Sequence, residues 1–266
     1  MWKAAVKQSF SKVARVYSHA SKVQKEVGTI VGSLLVEEVK GKEIGRFMDL
    51  GCGSGDATNQ LLKWLEPREV ILADISLDML KEAKKRSLEM DRRVQLINLD
   101  MEYCGSVIRP GSLDVVFSNS ALHWSRDLDK VFSGISQILK RDGVVACSIF
   151  TRNTLCELGA LVEEVSGHQI VSRGFPDKEK VLKGFLEHFF PMDVSVLRLM
   201  RAYPDTLSLL KTLKYAGVTP RVRQGRPLQM SRGELRRIDK LFHERYGGVL
   251  VTYEVIVCVG RPKNII

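Results

Sequence analysis

Three glycines in five positions, Gly51, Gly53 and Gly55, lie in the stretch FMDLGCGSGDATNQLL that begins at Phe47. Glycine weakens a chain unless a turn or the close approach of another group requires it. Here the loop follows a short apolar run and opens a helical pattern, the setting in which backbone N–H groups are bared toward a ligand. The spacing is not GxxxxGK[ST], which argues against a phosphate-cradling P-loop, and it lacks the final xxG of the dinucleotide fingerprint. Three acids accompany it. Asp49 stands just before the first glycine, Asp74 closes the next apolar run, and Asp100 closes the one after. An acid about twenty residues beyond a glycine loop is placed to accept from ribose hydroxyls. An acid beside the loop itself would repel a pyrophosphate and suit a cation. S-adenosylmethionine, an adenosine with a positive reactive end and no phosphate, meets both conditions.

Those residues need a frame that gathers them at one edge. The β-rich runs 46–50, 70–75, 94–100, 113–120 and 143–150 alternate with helical patterns near 56–65, 78–88 and 127–141. Alternation at that length implies βαβ units and a parallel sheet. In a doubly wound sheet the carboxyl ends of the strands share one crevice, which would hold all three acids. Ahead of the first strand, 20–40 has helical spacing, with Val23, Val27, Ile30, Val31, Leu34 and Leu35 on one side. After Phe150 the rhythm changes. The segment 154–188 is mainly helical, and TLCE (154–157) and SRGE (231–234) have the form of capping boxes. Late strands are expected over 195–200 and 252–260, with a helix over 207–217 between them. The fold expected is α/β: a doubly wound, mostly parallel, seven-stranded sheet in one domain of 266 residues. It carries an N-terminal helical segment over 1–40 and a helical lid inserted over 151–194.

Composition narrows the partners. The chain is 44% hydrophobic and 27% charged, ordinary for a globular domain. No apolar run nears the roughly 18–20 residues of a membrane span. The opening MWKAAVKQSF lacks the apolar core of a secretory signal, so a cytoplasmic location is expected. Cysteines 52, 104, 147, 156 and 258 are scattered without a CxxC pair and read as reduced thiols; no metal is expected. The net charge is +10 and unevenly placed. Between Ser195 and Arg245 twelve Lys/Arg face four acids, a balance of +8, and the first 25 residues hold six bases and no acid. Such a surface suits an acidic partner. Arg198 and Arg201, beside an expected strand edge, are the candidate docking residues.

In its motifs the chain resembles class I methyltransferases: DLGCGSG, ADIS with Met79 three residues on, and LDME succeed one another as in that superfamily. More selectively, SFSKVARVYSHASKVQKEV is similar to the F-x-x-x-A-x-x-Y opening of the malonyl-acyl-carrier-protein O-methyltransferase family, which starts pimeloyl synthesis for biotin. SNSALHWSRDLDKVFSGISQILKRDGVVACSIF resembles that family's fourth and fifth strands, DTLSLLKTLKYAGVTP its late helix, and LVTYEVIVCVG its last strand. His123 stands where some members have Gln, and TLK replaces SLK. The resemblance implies a Rossmann-like fold. It also implies S-adenosylmethionine held by Asp49, Gly51, Cys52, Gly53, Gly55, Asp74, Ile75, Met79, Asp100, Met101, Ser118 and Asn119.

The acceptor it implies is the free carboxylate of a malonyl thioester on an acidic acyl carrier protein. The enzyme would be a monomer, with no nucleic-acid or membrane partner. A carboxylate is already ionised at neutral pH, so no general base is required. Tyr17 and Lys214, from the selective motifs, are the candidates to hold it. Trp124 and His123 are candidates for the pocket wall. Two alternatives stay open: a methyltransferase for another small carboxylate or a quinone, and a methyltransferase-fold arginine hydroxylase, whose members share an LHW-x-x-D-L stretch. SNSA in place of (D/N)PP(Y/F/W) argues against base amino methylation.

Overall fold

The computed structural model describes residues 2–87, 93–218 and 230–263. Residue 88 of the expected helix 78–88, Thr219 and Pro220 of the late motif, and Arg221, Arg223 and Arg226 of the basic region lie outside the described residues. Seven strands form one sheet in the order β3-β2-β1-β4-β5-β7-β6. They are β1 (Arg46–Leu50), β2 (Glu69–Asp74), β3 (Arg93–Asn98), β4 (Leu113–Asn119), β5 (Leu139–Phe150), β6 (Phe189–Tyr203) and β7 (Val249–Pro262). β1 pairs in parallel with β2 and β4, β2 with β3, and β4 with β5, while β7 runs antiparallel to β5 and β6. The chain leaves β1 toward β2 and β3 on one side, then returns to lay β4 and β5 on the other. That reversal opens a crevice at the carboxyl ends of β1 and β4, where ligands of such sheets bind. The α/β, mostly parallel, seven-stranded expectation holds.

The helices are α1 (Trp2–Ala20), α2 (Lys22–Glu38), α3 (Asp56–Leu61), α4 (Leu77–Ser87), α5 (Cys104–Val107), α6 (Leu128–Ile138), α7 (Cys156–Ser166), α8 (Lys178–His188), α9 (Thr206–Tyr215) and α10 (Arg232–Tyr246). They cover both faces, and β1 shows why its sequence is apolar throughout. Phe47 packs into the core shared with α2, α3, α7, α9 and α10, and its neighbour Met48 into the opposite core beside α5, α6 and α8; both are fully buried. Along α2, Val23, Val27, Val31 and Leu35 recur every fourth residue and are buried on one face. Gly28 lets that helix touch β4: a Cβ there would lie 2.8 Å from Asn119 Nδ2. From this anchored start, α1 crosses the carboxyl edge of the sheet and packs on α4 and α9.

Three expectations need correction. α6 ends at Ile138 and β5 begins at Leu139, so 139–141 is strand. TLCE is no capping box, because Leu155 takes a left-handed conformation (φ 60°) and the flanking side chains are drawn to β7. Thr154 Oγ1 donates to the Glu254 carbonyl (2.9 Å), and the Glu157 carboxylate accepts from Thr252 N and Oγ1 (3.0 and 2.6 Å). SRGE does cap α10, with Ser231 and Glu234 bonded reciprocally. Nor is 151–194 one lid. α7 packs on α10 at one face, and α8 packs on α6 at the other. Phe185 there stacks on Phe189 (4.9 Å) and meets Phe132 edge-on (5.8 Å), and β6 has begun by residue 189. The roof over the crevice is α1 with the start of α2. Among the described residues no helix is long and apolar enough to cross a membrane.

Gly51 tests how tightly the crevice turn is packed. Its φ is 82°, and a Cβ would fall 2.4 Å from Ala121 Cβ, whereas Gly111 has φ 59° and nothing within 4 Å. In urea unfolding, Gly111→Ala should cost roughly 1–2 kcal/mol for the left-handed backbone alone. Gly51→Ala should cost about 1–3 kcal/mol more, through overlap. Equal losses would mean that Ala121 yields freely.

Candidate active site

The loop after β1 is shaped by the acid at the end of β2. Asp74 Oδ2 accepts from Gly53 N (2.9 Å) and its Oδ1 from Ser76 N (2.7 Å), which fixes the turn without any help from a ligand. Asp49 is different. Only 2% exposed, it accepts from the Thr58 hydroxyl through Oδ2, while Oδ1 has no partner. Burial raises the Asp49 carboxyl to about 7, opposed by the Thr58 bond and reinforced by Asp74. Burial likewise raises Asp74 to about 6, against the donors from Ser76 and Gly53. Both acids border a narrow cavity of about 90 Å³ with Gly51, Cys52, Gly53, Ile75, Met101 and Asn119.

α1 and α2 close that cavity from above with Phe10, Tyr17, Gln24 and Lys25. Lys25 Nζ donates to Ser18 Oγ (3.1 Å) and lies 3.9 Å from Asp56. Lys3 ties the far end of α1 to the sheet edge by pairing with Asp100 (2.6 Å) and Glu102 (2.5 Å). A second cavity of about 710 Å³ opens beside the first, walled by His123, Trp124, Phe150, Phe175, Leu213 and Tyr253 among others. His123 sits in an aromatic box, its ring 4.5 Å from Phe175 and 5.2 Å from Phe150 and Trp124. It is 4% exposed, Nδ1 has no partner, and burial lowers its pKa to about 3, so it is neutral.

The structure brings together most, not all, of the residues singled out from sequence. Tyr17 and Trp124 border both cavities, and His123 the larger one alone. Lys214 borders neither: it is exposed, because α9 turns Leu209 and Leu213 inward. Met79 is fully buried against Val13 and Ala14 of α1 and touches no cavity. Ser118 is a strut within the sheet, its hydroxyl donating to the Leu50 carbonyl (2.6 Å). Gly55 turns the chain into α3, facing Ala83. The Asp100 carboxylate lies outside the cavity lining, committed to Lys3 and to Glu102 N (3.2 Å). Asn119 borders the cavity, but its amide donates to the Gln24 carbonyl (2.8 Å).

The two docking candidates do not form one patch. Arg198 pairs with Glu254 (3.0 Å), and Arg201 pairs with Glu26 and lines the larger cavity. Three residues apart on a strand, they project from opposite faces. Sequence reasoning missed Phe10, Gln24, Lys25 and Ser120. Ser120 is the last residue of the quoted SNS, and Gln24 lies seven residues after Tyr17, across the break at Ser21 between α1 and α2.

Comparison with known proteins bears on this geometry. A methyltransferase-domain family model matches residues 42–190. The malonyl-[acyl-carrier protein] O-methyltransferase of Xylella fastidiosa is 30% identical over 86% of this chain and 76% of its own. That of Methylovorus sp. is 29% identical over 96% of this chain and 87% of its own. The chain belongs to this methyltransferase family. Solved structures agree in fold: a putative methyltransferase from Bacillus halodurans has a TM-score of 0.62 at 13% identity, covering 88% of this chain and 99% of its own. The N-methyltransferase NodS of Bradyrhizobium japonicum, solved with S-adenosylhomocysteine, has 0.57 at 10% identity, covering 97% and 99%.

S-adenosylmethionine is the co-substrate of this methyltransferase, and the groups that line the smaller cavity suit its charges. The buried Asp49 Oδ1 has no partner and would accept from the cofactor's ammonium group. Lys25, which borders the same cavity, would offer a cation to the cofactor's carboxylate. Asp74 keeps acceptor lone pairs for ribose hydroxyls beside the glycine loop.

The raised carboxyls give a pH signature. An unfolded aspartate titrates near 3.9, so the folded, ligand-free protein holds a proton on Asp49 that the unfolded chain has lost. The resulting stability is complete below about pH 4 and is lost as pH rises through about 7. Ligand-free Asp49→Asn should therefore exceed wild type in stability by more than about 1 kcal/mol near pH 8 and lose that advantage toward pH 4. Its affinity for S-adenosylmethionine should fall about 10- to 100-fold. Calorimetric melts across that range decide it; a pH-independent difference would contradict the assignment.

Proposed function

We propose that this enzyme transfers a methyl group from S-adenosylmethionine to the free carboxylate of a malonyl thioester carried by an acidic acyl carrier protein. The observation that carries the reading is the chemistry of the boundary between the cavities. Five residues border both: Phe10, Tyr17, Gln24, Ser120 and Trp124. None is a general base. Burial and the charges of Asp74, Asp56 and Asp49 push the Tyr17 hydroxyl well above the usual phenol range, so it stays protonated and donates. His123, held neutral with a pKa of about 3, is too weak a base to deprotonate an alcohol or an amine. A carboxylate arrives ionised and needs no such help. When bound, S-adenosylmethionine supplies the sulfonium methyl: the C–O bond forms, the C–S pair stays on sulfur, and the products are a methyl ester and S-adenosylhomocysteine.

The larger cavity supports an acceptor delivered on an arm. Its inner walls are aromatic and aliphatic, and Lys22 and Arg201 are its cationic lining. Apolar walls exclude water from a step in which two opposite charges vanish. The cations favour encounter with an acidic carrier. The names of the curated relatives point to the same acceptor.

With malonyl carrier protein and the cofactor, intact-mass measurement should show a gain of one methylene. Free malonate should react at least about tenfold less efficiently, since it forgoes the arm and the carrier surface. Tyr17→Phe should lower kcat/KM about 10- to 100-fold through loss of a donor to a charged group. Lys214→Ala should stay within about twofold of wild type, as a solvated lysine would. Equal efficiency on malonate, or collapse of the Lys214 variant, would count against the reading.

A further inference from the structure

The boundary between the two cavities is where an acceptor carboxylate must sit, and its polar groups differ in how far they are already engaged. Ser120 Oγ donates to Asn119 Oδ1 (3.3 Å), and Ser120 N donates to Ser148 Oγ (2.8 Å). Gln24 is half-buried, yet its side-chain amide makes no hydrogen bond among the described residues. Its backbone, by contrast, is pinned. Asn119 Nδ2 donates to the Gln24 carbonyl (2.8 Å), and Asn119 Oδ1 accepts from Ser148 (2.8 Å). Gly28, one turn on, allows α2 to lie against that same amide. The end of β4 thus positions residue 24 while leaving its side chain uncommitted. Ser120, in the same knot, is held at φ 55°, and Leu155 is the other non-glycine residue with positive φ among the described residues. Both line the larger cavity, and strain of this kind persists where surrounding structure enforces a site.

We infer that Gln24 is the specificity-determining residue for the acceptor carboxylate, its amide N–H donating to that group alongside the Tyr17 hydroxyl. This rests on the acceptor proposed above. The cations available are misplaced for the task. Lys22 and Arg201 line the acceptor cavity without bordering the cofactor's, Arg201 is paired with Glu26, and Lys25 borders only the cofactor's side. An ionised acceptor entering beside Asp49 and Asp74 still needs donors to offset their field. Neutral donors supply them and leave lone pairs of the reacting oxygen free, which a bidentate guanidinium would occupy. The arrangement selects an anionic acceptor by hydrogen bonding rather than by ion pairing.

Two substitutions separate this role from packing. Gln24→Leu removes the amide, and Gln24→Glu keeps its shape but brings a negative charge against the acceptor. For malonyl carrier protein, kcat/KM should fall about 10- to 100-fold in Gln24→Leu, and further in Gln24→Glu. Affinity for S-adenosylhomocysteine, measured by calorimetry, should stay within about threefold in both. Binding of malonyl carrier protein to the enzyme saturated with S-adenosylhomocysteine should weaken in the same order. A merely structural residue would make leucine the equal of glutamate or worse, and that order, or wild-type kinetics in Gln24→Leu, overturns the inference alone. Failure of the wild-type enzyme to methylate malonyl carrier protein would overturn the proposed acceptor and this inference with it.

Discussion

Burying a carboxylate with an oxygen left unpartnered is expensive, and the methyltransferase does so near the end of β1. Asp49 can be tolerated there because its pKa rises until it holds a proton near neutrality. The rest of the crevice follows from that choice. Asp74, one strand over, accepts from Gly53 N of the glycine loop with one oxygen and from Ser76 N of its own turn with the other, so the loop is held before any ligand arrives. One acid shapes the loop, and the other keeps an oxygen free for the cation proposed to bind there. A phosphate-bearing nucleotide would meet the same field as repulsion.

The two N-terminal helices convert that receptor into an enzyme-like enclosure. α2 is locked to the end of β4 through Gly28 and Asn119, and α1 spans from Lys3 at the β3 edge to α9. Between them hang Phe10, Tyr17 and Gln24, side chains that belong to both cavities at once. Donor and acceptor sites therefore share a wall rather than a corridor. Near-attack placement follows from the packing of that wall. The aromatic box around His123 keeps the acceptor side dry and takes from the histidine any role as a base.

Much of this was legible in the sequence, for reasons that can be named. The first five strands and the register of Asp49 and Asp74 came from short apolar runs punctuated by glycine and acid, signals local to a few residues. What failed depended on packing. Met79 and Ser118 occupy motif positions, but only the path of α1 decides that Met79 is covered, and only the pairing of strands decides that Ser118 faces Leu50. Lys214 adjoins the inward Leu213, and one residue is about 100° of helix, enough to turn it to solvent. Arg198 and Arg201 part for a different reason. Their spacing of three on a strand already placed them on opposite faces, and a period-two count would have separated them. The segment 151–194 does not act as one unit, because its apolar residues serve two cores on opposite faces of the sheet, while Thr154, Leu155 and Phe175 wall the larger cavity. Gln24 carried no signal of its own, because its meaning lies in an amide from β4 that holds its backbone.

The central claim is that Asp49, half-protonated when the site is empty, receives the cofactor's ammonium as a carboxylate. Binding must then release protons. Isothermal titration of the enzyme with S-adenosylhomocysteine near pH 7, in buffers of different ionisation enthalpy, measures that release directly. The account predicts that a fraction of a proton, about half, leaves per molecule bound when the free carboxyl titrates at about 7, and that the release vanishes in Asp49→Asn. Binding with no proton released near pH 7 would contradict it.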